Sequence, residues 1–502
     1  MIRICAALCL CLAAMPALAA EGQFPLTLAE AVKSAVEKNL DVRAELYNPA
    51  MAEADVRGRK GIYNPRLTLD TAFNYSETEA VSTFQTGSAL NRNSKFTVTP
   101  GISQLVPSGG TVGLAFNNAY NKNNTSKERS PLNEYWTSDV SLNFSQPLLK
   151  NFGREPTELG IMVAMGNKEG STERFKTKLL DTVARVRNEY YRLYLLREEL
   201  EVKRTSLSLA RKILSDTQAR VKAGVLPAME ILNAEFGVAS REKELIDAER
   251  AVRNQNDFLR VLLQLPVQGE IVPTDVPTRE PFQANEEEMV RRALENRPEL
   301  LEQRSNLRTS ELQMKVARNR TLPDLNLNTS LALTGIDRKY NRDVEKVGSG
   351  DYPVWNVGLS FQYPLGNDAA MNEYIRSRLQ VEQIRTQIRS LESNVENDVK
   401  IAIRSIETNF KQIEVTDRGK AFAEERLRSF IKKNEVGLAT TKDVLDVEND
   451  LATAKDNQIK ALVGYSEAIT QLWRVTGELL EKLGITVADM DGESLYNQKG
   501  RQ

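Results

Sequence analysis

Acidic side chains are most of what this 502-residue chain offers for chemistry. It has no histidine, and its three cysteines, Cys5, Cys9 and Cys11, cluster near the N-terminus. The rest of the chain therefore lacks a histidine general base, a thiolate nucleophile and the common zinc ligands. Carboxylate and lysine chemistry stays open in principle. Glu286-Glu287-Glu288 begin a helical stretch, where negative charge favours the positive end of the helix dipole. No nucleophile–base set accompanies them, so a carboxylate-dependent hydrolase has little to work with. Asp443 and Asp446 follow Thr440-Thr441 at another helix start. The helix dipole alone gives each a reason to be there, about 0.3–1 kcal/mol. No metal site and no cofactor are expected.

Residues 1–19 read as a secretory leader, with Arg3, an apolar run from Ile4 to Ala14 and a small-x-small ending at Ala17-Leu18-Ala19. A retained anchor is the alternative, but the run is too short to span a bilayer. Cys9 and Cys11 each follow leucine, unlike the cysteine of a lipoprotein signal. No other stretch reaches the length of apolar sequence that a spanning helix needs. If the mature chain crosses a membrane, it must do so as a closed β-barrel. Charged residues make up 27% and aromatics 6%, a balance that leans to long solvated helices. A net charge of −1 gives no basic surface for nucleic acid.

The elements that carry these residues come in two copies. Ala31 to Asn39 resembles Met289 to Arg297, Asn64 to Leu69 resembles Leu322 to Leu327, and Val140 to Leu148 resembles Val357 to Leu365. Gly224 with Ile231-Leu232 and Glu235 resembles Gly437 with Val444-Leu445 and Glu448. The expected plan is a leader (1–19), repeat 1 (20–269), a proline-rich linker (270–285), repeat 2 (286–483) and a polar tail (484–502). Each copy runs helix, strands, long helix, turn, long helix. The first helix covers about 28–62 and the long helices 157–222, 228–265, 370–436 and 441–482. Val186, Leu193, Leu200, Leu207, Leu214 and Val221 recur every seventh residue, as do Val399, Ile406 and Ile413, with Leu427 two heptads further on. Such seams wind helices around neighbours. A helix of this length would run roughly 100 Å, more than a compact globule can house.

The strands alternate with period two. Leu67, Leu69, Phe73 and Tyr75 stand against Thr68, Asp70 and Asn74; Trp355, Val357, Leu359, Phe361 and Tyr363 stand against Asn356, Gly358, Ser360 and Gln362. Aromatics near strand ends (Tyr75, Trp136, Phe144, Trp355, Phe361, Tyr363) suit a lipid-facing belt. A soluble half-buried sheet has the same period; the leader and the helices beside the strands favour the barrel. Copy one carries an extra hairpin, 96–106 and 111–120, whose place in or outside the barrel the sequence leaves open. Glu77 to Asn93, Asn121 to Asn133 and Gly335 to Asp351 read as polar loops. The fold class is mainly α with a transmembrane β-barrel.

The duplicated order, and the pattern of glycine, six residues, hydrophobic-Leu-x-x-Glu after each long helix, resemble the TolC-like outer-membrane efflux protein family. The resemblance covers about residues 26–482. It implies an outer-membrane channel subunit of a tripartite efflux pump or type I secretion system. It further implies a homotrimer with a shared barrel and a periplasmic helical tunnel, in contact with outer-membrane lipid. The partners it implies are a periplasmic adaptor (membrane fusion) protein and an inner-membrane pump, with no enzymatic activity and no nucleic acid. It also implies that Asp443 and Asp446 form acidic rings at a pore constriction, with Gly224, Glu230 and Gly437 in the turn and gate network. Ringed carboxylates concentrate cations. The family's arginine two residues after the second glycine is Ala439 here, and its tyrosine three before is Asn434, so that latch is not carried over. The alternative class is a soluble periplasmic coiled-coil adaptor or scaffold. Adaptors, however, carry one hairpin and a lipoyl-like β domain rather than a duplicated strand–helix unit.

Overall fold

The computed structural model describes residues 23–79, 89–124, 132–265 and 269–487. The predicted leader, nearly all of the predicted tail and the middles of two predicted loops (80–88 and 125–131) lie outside the described residues. Along the chain come β1 (Gln23–Leu26), α1 (Leu28–Lys38), α2 (Leu40–Lys60), β2 (Arg66–Glu79), β3 (Leu90–Leu105), β4 (Thr111–Asn123), β5 (Glu134–Pro147), α3 (Arg154–Lys222), α4 (Met229–Leu263), β6 (Glu270–Pro273), α5 (Glu286–Asn296), α6 (Pro298–Asn319), β7 (Asp324–Asp337), α7 (Tyr340–Ser349), β8 (Pro353–Gln362), α8 (Asp368–Glu435), α9 (Thr441–Val475) and α10 (Leu479–Lys482). Three of the four long helices fall within a few residues of their predicted bounds; the last, predicted over 441–482, ends at Val475, and the chain breaks from helix at Gly477 (φ 75°) before the short α10. The elements divide between two compact units, one of helices (to Leu46, Phe175–Pro298 and from Glu392), the other around a sheet (Tyr47–Arg174 and Glu299–Leu391).

In the helical unit, Thr27 caps α1. Its hydroxyl accepts the Glu30 N–H, and the Glu30 carboxylate accepts the Thr27 N–H. The helix predicted as one piece over 28–62 breaks at Asn39, whose ψ of 127° leaves the helical region. Its Oδ1 accepts the N–H groups of Asp41 and Val42, restarting the chain as α2, and its Nδ2 donates to Leu262 O at 2.9 Å. The predicted linker begins with β6, which pairs in parallel with β1. Four residues are too few to announce a strand by alternation. The seams are buried as their spacing requires. Val186, Leu193, Leu200 and Leu207 are shut from solvent, as are Val399, Ile406, Ile413 and Leu427. Leu214 and Val221 are half-buried. A buried leucine or valine contributes about 1.5–3 kcal/mol relative to exposure.

The other unit holds a six-stranded antiparallel sheet among the described residues, in the order β2-β3-β4-β5-β7-β8. The extra hairpin is therefore inside the sheet, as β3 and β4. The two copies join where β5 pairs with β7, Trp136 opposite Asp337 and Leu142 opposite Leu331. One apolar row crosses every strand: Leu67, Ile102, Leu114, Leu142, Leu331 and Trp355 stand opposite one another in turn. The next row on the opposite face is polar or small: Arg66, Ser103, Gly113, Asn143, Ser330 and Asn356. All six apolar side chains of the first row are exposed in the single chain.

The predicted loop from Gly335 to Asp351 is corrected in part, because it contains α7. Tyr340, Val344 and Val347 lie on one helical face, a signal too short to carry a helix by periodicity alone. Tertiary contact decides it. Asp343 and Val347 are buried against the sheet, the Ser138 hydroxyl donates to Asp343 Oδ2 at 2.5 Å, and the Tyr340 ring meets Trp136 edge-on with centroids 5.0 Å apart.

Candidate functional site

The two helical hairpins, α3–α4 and α8–α9, turn in the same way. The Val225 N–H donates to Arg220 O and the Gly224 N–H to Val221 O; the Leu438 N–H donates to Lys433 O and the Gly437 N–H to Asn434 O. This is the Schellman pattern, and it needs a left-handed residue just past the helix. Gly224 and Gly437 supply it at φ 75° and 77°. A Cβ at either would meet nothing within 4 Å, so a substitution there is opposed by torsion alone. Gly437→Val is expected to destabilise the turn by about 1–3 kcal/mol. Limited proteolysis should show faster cleavage at this turn; an unchanged cleavage rate would contradict the torsional cost.

Asp443 lies at the third position of α9 and completes a capping box. Its carboxylate accepts the Thr440 N–H and hydroxyl, both at 2.8 Å, and its own N–H donates to the Thr440 hydroxyl at 3.1 Å. The Thr440 backbone N–H, then its hydroxyl, hold the Asp443 carboxyl below the usual carboxylate range, and the Lys442 charge adds to this. A lowered folded pKa stabilises the turn at pH values above the ordinary carboxylate range, and this contribution is lost as pH falls through the folded value. Asp446 is exposed one turn further on. Glu230, the copy-one counterpart of Asp443, is half-buried, and its Oε2 is shut from solvent with no hydrogen-bond partner among the described residues. Asn434, which replaces the family's tyrosine, has work of its own. Its Nδ2 donates to Ala439 O at 2.9 Å, and its carbonyl accepts from Arg220 Nη1 at 2.8 Å, joining the second turn to the first hairpin.

Beside these turns lies a buried charged cluster that the sequence reading did not single out. Arg241 Nη2 and Nε reach Glu448 Oε2 at 2.9 and 3.2 Å, and Nη2 also reaches Leu445 O at 3.2 Å. The Ser206 hydroxyl donates to Glu448 Oε1. The side chains of Arg241 and Glu448 are only 10% and 5% exposed, so this pair joins α4 to α9 away from water, with α3 as third partner. A second tier follows, with Lys203 between Glu244 at 3.1 Å and Asp456 at 3.6 Å. Burial pushes the Asp456 carboxyl up, while Lys203 opposes it. The repeat gave half a signal: Glu448 matches Glu235, yet Glu235 is exposed. The matched residues diverge: Glu448 is buried against Arg241 and Ser206, whereas Glu235 is exposed.

The model of the family described as "Outer membrane efflux protein" matches residues 114–263 and 289–478, more than half of the chain. The chain belongs to the outer membrane efflux protein family. It is an outer-membrane channel subunit of the tripartite efflux type, and the adaptor or scaffold reading falls away. Outer membrane efflux protein BepC of Brucella suis is 22% identical over 377 residues, 74% of this chain and 80% of that protein. Among solved structures, the CusC channel aligns with a TM-score of 0.66 at 14% identity, over 90% of this chain and 92% of that one. The CmeC outer membrane channel of Campylobacter jejuni aligns with a TM-score of 0.63 at 14% identity, over 94% of this chain and 88% of that one.

In this efflux protein no described helix is long and apolar enough to cross a membrane. Five of the predicted belt aromatics, Tyr75, Trp136, Phe144, Trp355 and Phe361, fall on the face of the sheet that bears the apolar row. Tyr363 follows the end of β8. Trp136 is partly covered by Tyr120 and Tyr340, whereas Trp355 is 73% exposed.

Proposed function

We propose that three copies of this chain form a passive exit duct, fed by an inner-membrane pump through a periplasmic adaptor. The duct performs no chemistry, and the pump supplies the energy. The observation that carries this reading is the exposed apolar row from Leu67 to Trp355, backed by a polar face. A sheet with one face for lipid and one for water is a wall between them, and in lipid such a wall must close on itself. Apolar side chains left uncovered on the long helices support assembly with further copies: Met229, Leu232 and Phe236 on α4, and Ile401, Val415 and Phe422 on α8. At the hairpin turns, Val225, Val436 and Leu438 are at least 70% exposed, which suits an apolar contact from the adaptor.

Asp443 and Asp446, repeated three times about one axis, would ring the constriction with carboxylates, with Gly224, Glu230 and Gly437 in the surrounding turn network. Capping and gating are compatible, since Thr440 engages only one oxygen of Asp443. The double replacement Asp443→Asn/Asp446→Asn keeps the size of both side chains and an oxygen acceptor for the cap. Reversal potentials across a planar bilayer under a salt gradient should then show cation preference falling several-fold. Selectivity equal to that of the unaltered channel would remove the acidic ring while leaving the duct in place.

A further inference from the structure

The hairpin β3–β4 has no counterpart in the second copy, yet it is built into the sheet as fully as any other pair of strands. β2 pairs with β3 from Arg66 to Glu79, and β4 pairs with β5 from Thr111 to Lys122. Its strands of 16 and 13 residues match the lengths of β2, β5 and β7, which have 14 each. All exceed the nine to eleven or so that a tilted strand needs to cross a bilayer. Ile102 and Leu114 carry the apolar row across the hairpin without a break. The turn of the hairpin is locked to the point where strand passes to helix. The Ser108 hydroxyl donates to Gln146 Oε1 at 2.6 Å, Gln146 Nε2 donates to Ser108 O at 3.0 Å, and the Gly153 N–H donates to Ser108 O at 3.0 Å. Gly109, at φ 89°, sits so close that a Cβ would fall 2.7 Å from Asn151 O. An external flap would need none of these features.

Among the described residues, the first and last strands of the sheet, β2 and β8, have no strand on their outer sides. Exposed strand edges inside lipid are untenable. Because the strand number is even and every neighbour is antiparallel, the outer edge of β8 on one copy is matched in direction to that of β2 on the next. We infer that the duct is closed by β8–β2 seams between copies and that its wall has eighteen strands, six from each of three chains, with the inserted hairpin as a wall element that widens the bore. This rests on the trimeric reading above. Without the insertion each copy would bring four strands. Taking strands about 4.8 Å apart and tilted by about 40°, the backbone diameter grows from about 24 Å to about 36 Å. Barrels of this strand number leave an aqueous channel. The lumen would then pass bulkier cargo than four strands per copy allow.

Cysteine cross-linking tests the inference in the full-length chain, whose native cysteines all lie in the predicted leader. Ala72 projects from the polar face of β2, and Asn356, Gly358 and Ser360 from the polar face of β8. Ala72→Cys combined in turn with Cys at each position from 354 to 360 should give intermolecular disulfides at 356, 358 or 360 and weak or no product at 355, 357 and 359, with bands ending at three chains. Ala72→Cys with Thr137→Cys is the counter-test. These residues stand level on β2 and β5 but three strand spacings apart, about 14 Å, beyond a disulfide's reach. An intramolecular Ala72–Thr137 disulfide would place the hairpin outside the wall and overturn the inference. So would a trimer with no product at any β8 position. Detergent-extracted protein without introduced cysteines that has the mass of one chain would instead overturn the trimeric reading.

Discussion

Arg241→Met should lower the stability of the folded protein by about 3–5 kcal/mol, the usual consequence of stranding one member of a buried ion pair. The substitution leaves the Glu448 carboxylate, only 5% exposed, with the Ser206 hydroxyl as its remaining close partner from another helix. The double variant Arg241→Met/Glu448→Leu should recover most of that loss, because apolar side chains of similar volume avoid the desolvation that the pair has to offset. Denaturant unfolding of the detergent-solubilised protein, followed by helix content, measures both. If the single and double variants were equally destabilised, the cost would lie in packing volume and not in an unpaired charge.

Tyr190→Phe is expected to cost about 1–3 kcal/mol, chiefly through the Asp275 N–H, since the Thr274 N–H and Leu26 O also bond to each other at 3.2 Å. The Tyr190 hydroxyl accepts the N–H groups of Thr274 and Asp275, each at 3.0 Å, and donates to Leu26 O at 2.8 Å. With the ring fully buried, water has poor access to replace it. The loss should be local: amide hydrogen exchange should speed up at residues 271–275 and 24–28, while the sheet stays protected. Exchange unchanged at these positions would mean that the β1–β6 pair is held by its own ladder, and the hydroxyl would then be a passive occupant of the core.

The long helices, the hairpin turns and the faces of the strands were legible in the sequence because each is a local or periodic property. Seven-residue spacing demands a buried seam, glycine past a helix end admits a left-handed residue, and strict alternation sends successive side chains to opposite faces of the sheet. The break at Asn39 was not legible, since its side chain takes over two backbone donors and is held there by Leu262, 223 residues away. Helix α7 depends in the same way on Ser138 of β5, 205 residues away. The cluster at Arg241 lies beyond any periodicity, because two matched glutamates, Glu235 and Glu448, meet different neighbours. The place of the inserted hairpin likewise rested on long-range pairing: its own alternation suits any half-buried sheet, and only the ladders to β2 and β5 put it inside this one. The sequence by itself determined which residues share a strand face, a helical seam or a turn. The tertiary structure decided which partners those faces meet, because contacts between residues hundreds of positions apart leave no periodic trace in a single chain.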